Sequence, residues 1–137
     1  HGQDARISKE IISDFSSFIS RWECGDMFKY QKERNFSEWK IQRHARLSHD
    51  KKNLSQALNV FGAGSINYLQ KEFEEIKSPI TIISGNEDVK YTNIALEMIQ
   101  LNSNAHHVVI DDSAHNTHLE NIDNFIVELN NHLSRMD

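Results

Sequence analysis

The chain has 137 residues, 38% of them hydrophobic and 26% charged, enough for one core, too apolar for disorder and too polar for a membrane-embedded protein. Lys and Arg total 15 against 20 Asp and Glu, a formal net charge of −5, which argues against a nucleic-acid binder because that function needs a basic surface to neutralise phosphates. No apolar run reaches the roughly 18 residues of a membrane-spanning helix, no signal-peptide pattern opens the chain, and a single cysteine, Cys24, offers neither a disulfide nor a zinc signature, so a reducing cytoplasm is the expected location.

With one Pro and five Gly, few breaks are expected and the chain should be mostly helical. From Ser8 to Trp22 the apolar residues Ile11, Ile12, Phe15, Phe18, Ile19 and Trp22 recur at helical spacing, with Ser8 as the expected N-cap and Gly25 as the stop. A further turn or two is expected between Met27 and Arg34. Ser37 is the expected cap of a third helix through Trp39, Ile41, Ala45 and Leu47, and His49 to Asn53 read as a loop. A fourth helix covers Asn53 to Phe61 and stops at Gly62-Ala63-Gly64. Tyr68 to Ile76 is a weaker, strongly charged helical stretch.

At Pro79 the pattern changes. Ile80-Thr81-Ile82-Ile83 and His107-Val108-Val109-Ile110 are short runs rich in β-branched residues that suit strands buried on both faces. Helical spacing follows each, over Ile94–Leu101 and Asn121–Leu133. Strand, helix, strand, helix predicts a βαβα unit with two parallel strands. Two such strands alone leave raw edges. One reading is a small complete α+β domain. The preferred reading is the C-terminal piece of a larger α/β protein, and the opening His1-Gly2-Gln3, without Met, reads as a cut or processed end.

Asp88 lies five positions after Ile83 and His115 five after Ile110. If the strands are parallel neighbours, both side chains project from loops at the carboxyl edge of the sheet, where open α/β sheets place ligands. A carboxylate bonded to one imidazole nitrogen fixes the tautomer and leaves the other nitrogen as a base. Spacing alone also allows an incidental pair.

The wording around the pair is more specific. Pro79 to Asp88, ending Gly85-Asn86-Glu87-Asp88, resembles the strand and Gly-x-x-Asp turn that carry the acid in α/β hydrolases, and Ser113 to Asn121 resembles their Gly-His-x-x-His-x-Glu loop, with Ala114 in place of Gly. Asp88-Val89-Lys90-Tyr91 narrows the resemblance to the 2-succinyl-6-hydroxy-2,4-cyclohexadiene-1-carboxylate synthases, α/β-hydrolase-fold enzymes of menaquinone biosynthesis. Upstream, Arg21-Trp22-Glu23 with Met27-Phe28 resembles the cap segment bearing a substrate-facing Trp. Arg46-Leu47-Ser48 with Leu54 and Ala57-Leu58 resembles the segment bearing a substrate-binding Arg, and Gly62-Ala63-Gly64-Ser65 the Gly-x-Gly after it.

The resemblance implies the C-terminal part of an α/β-hydrolase fold, with a helical cap over residues 1–67 and a core segment over 68–137. It implies Asp88 and His115 as triad acid and base, Arg46 and Trp22 as substrate contacts, and a small substrate bearing several carboxylates. The simpler readings are a solvated Arg46, a core Trp22, and Arg43 as the contact instead. His118, His106 and His107 near His115 lack a convincing third ligand, so no metal is expected, and the implied chemistry needs no organic cofactor. Cys24 reads as packing.

No Gly-x-Ser-x-Gly nucleophile elbow occurs; Ser65 is flanked by Ala63 and Asn67. The expectation is therefore a chain that supplies acid, base and cap, lacks the nucleophile and oxyanion donors, and is inactive alone, needing an N-terminal half or self-association. The rivals are a fragment of another α/β hydrolase, cleaving esters or carbon–carbon bonds, and a non-enzymatic helical interaction module.

Overall fold

The computed structural model describes residues 2–28, 30–62 and 67–136. The first helical stretch is two helices, α1 (Gly2–Ser13) and α2 (Phe15–Glu23), where one was expected. Asp14 breaks them: its backbone leaves the helical region at φ −146° and its carboxylate accepts from the Ser17 amide at 3.1 Å, capping α2. A short polar side chain that competes for backbone donors is better used at a cap than inside a helix. Ser8 is therefore not an N-cap. It sits within α1, buried, and pairs with the Ser55 hydroxyl at 2.5 Å. Cys24, expected to pack, is exposed at the end of α2.

After α3 (Gln31–Arg34) comes α4 (Phe36–Leu47), capped by Asn35 and not by Ser37: the Asn35 side chain accepts from the Glu38 amide at 3.3 Å, while Ser37 already lies in the first turn. Asp50 caps α5 (Lys51–Phe61) through the Lys52 and Asn53 amides at 2.9 and 2.8 Å, which shortens the expected loop. Helix α5 ends at Gly62; the rest of the Gly-x-Gly resemblance, Ala63 to Ser65, lies outside the described residues. Helix α1 packs along α5, and α2 against α4.

The second half holds α6 (Gln70–Glu74), β1 (Ile80–Gly85), α7 (Val89–Leu101), β2 (Ala105–Ile110), α8 (Thr117–Glu120) and α9 (Ile122–Leu133). Strands β1 and β2 pair in parallel, from Ile80 opposite Ala105 to Gly85 opposite Ile110. Helix α7 lies on both strands, α9 on β2, and α3 meets α8 to join the halves. In this chain the two strands are not buried on both faces. Only Ser84, Gly85 and Ile110 are buried, and Val109 is 44% exposed. Two strands make one ladder, so each keeps an open edge and the residues near it keep contact with solvent. Ile122, Ile126 and Leu133 on α9 are exposed too. No helix among the described residues is long and apolar enough to cross a membrane.

Candidate active site

Parallel pairing brings the ends of β1 and β2 side by side, and the loops that leave them interlock. The Asn86 amide donates to the Ile110 carbonyl at 3.0 Å and the Glu87 amide to the Ser113 carbonyl at 3.1 Å. Asp112 turns the chain sharply with φ 51°, a left-handed conformation that Asp tolerates better than most residues. The turn carries Ser113 and Ala114 back across Gly85, so close that a Cβ at Gly85 would lie 2.2 Å from the Ser113 carbonyl oxygen. Ser113 is fully buried, its hydroxyl donating to the Ile110 carbonyl at 2.8 Å.

This crossing presents His115 to Asp88. The His115 Nδ1–Asp88 Oδ2 distance is 2.7 Å. A carboxylate only accepts, so Nδ1 carries the proton and Nε2 is the nitrogen available for chemistry. The other Asp88 oxygen, Oδ1, accepts from the Tyr91 amide at 3.2 Å as the N-cap of α7. The acid is thus fixed by a helix start and nearly buried, with the His115 side chain 26% exposed beside it. The imidazole lies between two aromatic rings, Tyr91 at 4.7 Å and Phe28 edge-on at 5.8 Å. A cleft of about 360 Å³ opens here, lined by Asp26, Met27, Asp88, Lys90, Ala114 and His115.

Trp22 and Arg46 do not line this cleft but reach His115 through Phe28. Trp22, 40% exposed, packs on Phe28 with ring centroids 4.0 Å apart, and the Arg46 guanidinium sits 5.2 Å from the Trp22 ring and 5.7 Å from Phe28. Arg46, Trp22, Phe28 and His115 form one continuous line of contact. Arg46 is not a solvated residue: its side chain is 16% exposed and donates to Glu23 at 2.9 Å, Gln42 at 2.8 Å and Gln31 at 3.3 Å. Arg43 also pairs with Glu23 and with the Ser20 hydroxyl, and faces Trp39, away from this line. One nearly buried carboxylate therefore serves two guanidiniums.

Two further residues, Glu120 and Arg34, support the histidine loop. Glu120 accepts from the Ala114 amide at 2.8 Å and the Asn116 amide at 3.3 Å, the two residues that bracket His115. Arg34 donates to Glu120 at 2.7 Å and also to Glu87. Burial works to lower the Arg34 pKa, but the bonds to Glu120 and Glu87 outweigh it and hold the pKa above its ordinary value. The Glu closing the histidine motif was a signal for Glu120; no local pattern marks Arg34. The other histidines are dispersed: His106 and His132 share the Thr81 hydroxyl, His107 bonds Ser84 at 2.8 Å, and His118 packs on Phe125.

No family model matches the chain. A protein of Bacillus subtilis (strain 168), named "Putative 2-succinyl-6-hydroxy-2,4-cyclohexadiene-1-carboxylate synthase", is 27% identical over 120 residues, which are 86% of this chain and 43% of that protein. The solved structure of MenH from S. aureus matches with a TM-score of 0.91 and 28% identity, over 97% of this chain and 50% of that one. The chain spans about half the length of the relatives it matches. Its architecture is that of the C-terminal part of an α/β-hydrolase fold, and in sequence and structure it resembles the C-terminal portion of the 2-succinyl-6-hydroxy-2,4-cyclohexadiene-1-carboxylate synthases.

Proposed function

We propose that this chain is the acid–base and cap portion of a synthase of menaquinone biosynthesis, which eliminates pyruvate from 2-succinyl-5-enolpyruvyl-6-hydroxy-3-cyclohexene-1-carboxylate. The observation that carries the reading is the 2.7 Å Asp88–His115 pair at the carboxyl edge of the sheet, in a chain similar to the MenH of S. aureus over nearly its whole length.

In this scheme His115 Nε2 takes the proton of a serine hydroxyl supplied from outside these 137 residues. The alkoxide then removes a ring proton from the substrate. The freed electron pair forms the C2=C3 double bond, the existing C3=C4 pair moves to C4=C5, and the ring C5–O bond breaks to release pyruvate enolate, which takes its proton from the His115 imidazolium. Asp88 holds the ring by Nδ1 and stabilises the imidazolium that forms. Glu23 divides its one charge between Arg46 and Arg43, which leaves the Arg46 guanidinium incompletely neutralised for a substrate carboxylate, with Trp22 beside it as an apolar wall. The nucleophile and oxyanion donors come from an N-terminal half that also covers the open edge of the sheet, and the chain alone does not turn over.

Arg46→Ala tests the substrate class. In an assembly containing both halves it should lower kcat/KM for pyruvate release by about 10- to 150-fold, the scale of one charge-assisted hydrogen bond, and leave hydrolysis of a neutral ester much less affected. An equal loss on both substrates would favour another α/β hydrolase.

A further inference from the structure

Arg34 ends α3 in the helical half, yet its partners are Glu87, in the loop that carries the candidate acid, and Glu120, at the end of α8 just after the loop that carries the candidate base. Its Nη1 donates to Glu120 Oε2 at 2.7 Å and its Nη2 to Glu87. Glu120 has a side chain only 1% exposed and spends both oxygens on the histidine loop, Oε2 on the Ala114 amide and Oε1 on the Asn116 amide. Glu87 immediately precedes Asp88, and its own amide holds the Ser113 carbonyl. One planar guanidinium therefore joins a carboxylate of the acid loop to the α8 carboxylate that holds the base loop. A fork of fixed geometry suits this double attachment; a single ammonium does not.

The charges point the same way. A carboxylate as buried as Glu120 is costly without a partner, and among the described residues Arg34 is its cation. Removing Arg34 leaves two carboxylates near each other, each beside one member of the pair. The Arg34 guanidinium also lies 4.9 Å from the Tyr30 ring, which ties the clamp to the segment that places Phe28 against His115.

We propose that Arg34 is a positioning residue, which sets the approach of His115 to Asp88 by clamping Glu87 and Glu120 and so makes that approach depend on how α3 of the cap is seated. Its bearing on turnover rests on the proposed synthase reading; the clamp itself does not.

The test uses the chain as it is, by NMR, without substrate. In the parent protein the His115 Nδ1 proton should give a downfield signal, and the Ala114 and Asn116 amides should exchange slowly. Arg34→Met should remove the downfield signal and speed exchange at those two amides by about tenfold or more, the scale of a lost charge-assisted bond, while the Ile82 and Val108 amides in the strands keep the parent rates. Arg34→Lys should fall between the two and serves if Arg34→Met does not fold. Glu87→Gln, which keeps the Arg34–Glu120 bond, should preserve exchange at Ala114 and Asn116. The proposal is overturned if Arg34→Met keeps the parent signal and exchange rates, or if exchange accelerates equally in the loop and the strands, since Arg34 is then only a general stabilising contact. A failure of the synthase reading would appear in turnover and leave these signals unchanged.

Discussion

Gly85→Ala is a local perturbation whose consequence reaches the candidate site. A Cβ there would lie 2.2 Å from the Ser113 carbonyl oxygen and 2.3 Å from that of Ala114, where real contacts do not fall below 3.0 Å. Both obstacles are backbone, so no side-chain rotation relieves them. The histidine loop must retreat by roughly 0.8 Å, the difference between 2.2 and 3.0 Å, or β1 must bend away. The same displacement applied to the 2.7 Å His115–Asp88 bond carries it to roughly 3.5 Å, the limit of hydrogen bonding. Overpacking of this kind costs about 1–3 kcal/mol. With a urea slope of about 1–3 kcal/mol/M for a small protein, the midpoint should fall by about 1 M. Gly2→Ala is the control, because nothing lies within 4 Å of its added Cβ. Urea unfolding reads the stability, and the His115 ring resonances read the pair. An unchanged midpoint with unchanged His115 resonances would refute the close approach. A lowered midpoint with His115 unmoved would refute the coupling between Gly85 and the pair.

Two smaller predictions follow from the helix caps and the sheet. Asn35→Ala should cost about 1 kcal/mol in urea unfolding, as loss of an N-cap does, whereas Ser37→Ala should stay within about 0.5 kcal/mol; the reverse order would restore Ser37 as the cap. Burial holds the His107 pKa below its ordinary 6.5, so the unfolded chain takes up this proton first. Its contribution to stability is full above pH 6.5 and is lost as pH falls through the lower folded midpoint. The His107 ring resonance should therefore titrate below 6.5, and a midpoint at or above that value would contradict the burial.

Much of the second half is legible in the sequence because its signals are local and unbroken. Ile80–Ile83 and His107–Ile110 are short runs between clear stops, and parallel pairing then brings Asp88 and His115 to one edge, where they meet at 2.7 Å. The errors in the first half come from competing local chemistry. Ser8, Asp14, Asn35, Ser37 and Asp50 are all good caps, and periodicity alone does not rank them; the backbone left the helix at Asp14 and Asn35. The strands have the composition of central strands, and in this chain they pair as a single ladder with open edges, as two strands alone must. Arg34 was illegible for another reason. Its partners lie 53 and 86 residues away, and tertiary packing, including that of α3 against α8, brings them together.

The most direct test of the proposed role is pyruvate release by this chain combined with the half of the S. aureus MenH that this chain does not match, with formation of the complex first verified by sedimentation. The expected result is release of pyruvate from 2-succinyl-5-enolpyruvyl-6-hydroxy-3-cyclohexene-1-carboxylate by the complex, none by the chain alone, and loss of release in the complex with His115→Ala. A verified complex that releases no pyruvate, or one whose release survives His115→Ala, would contradict the assignment of His115 as the base of this elimination.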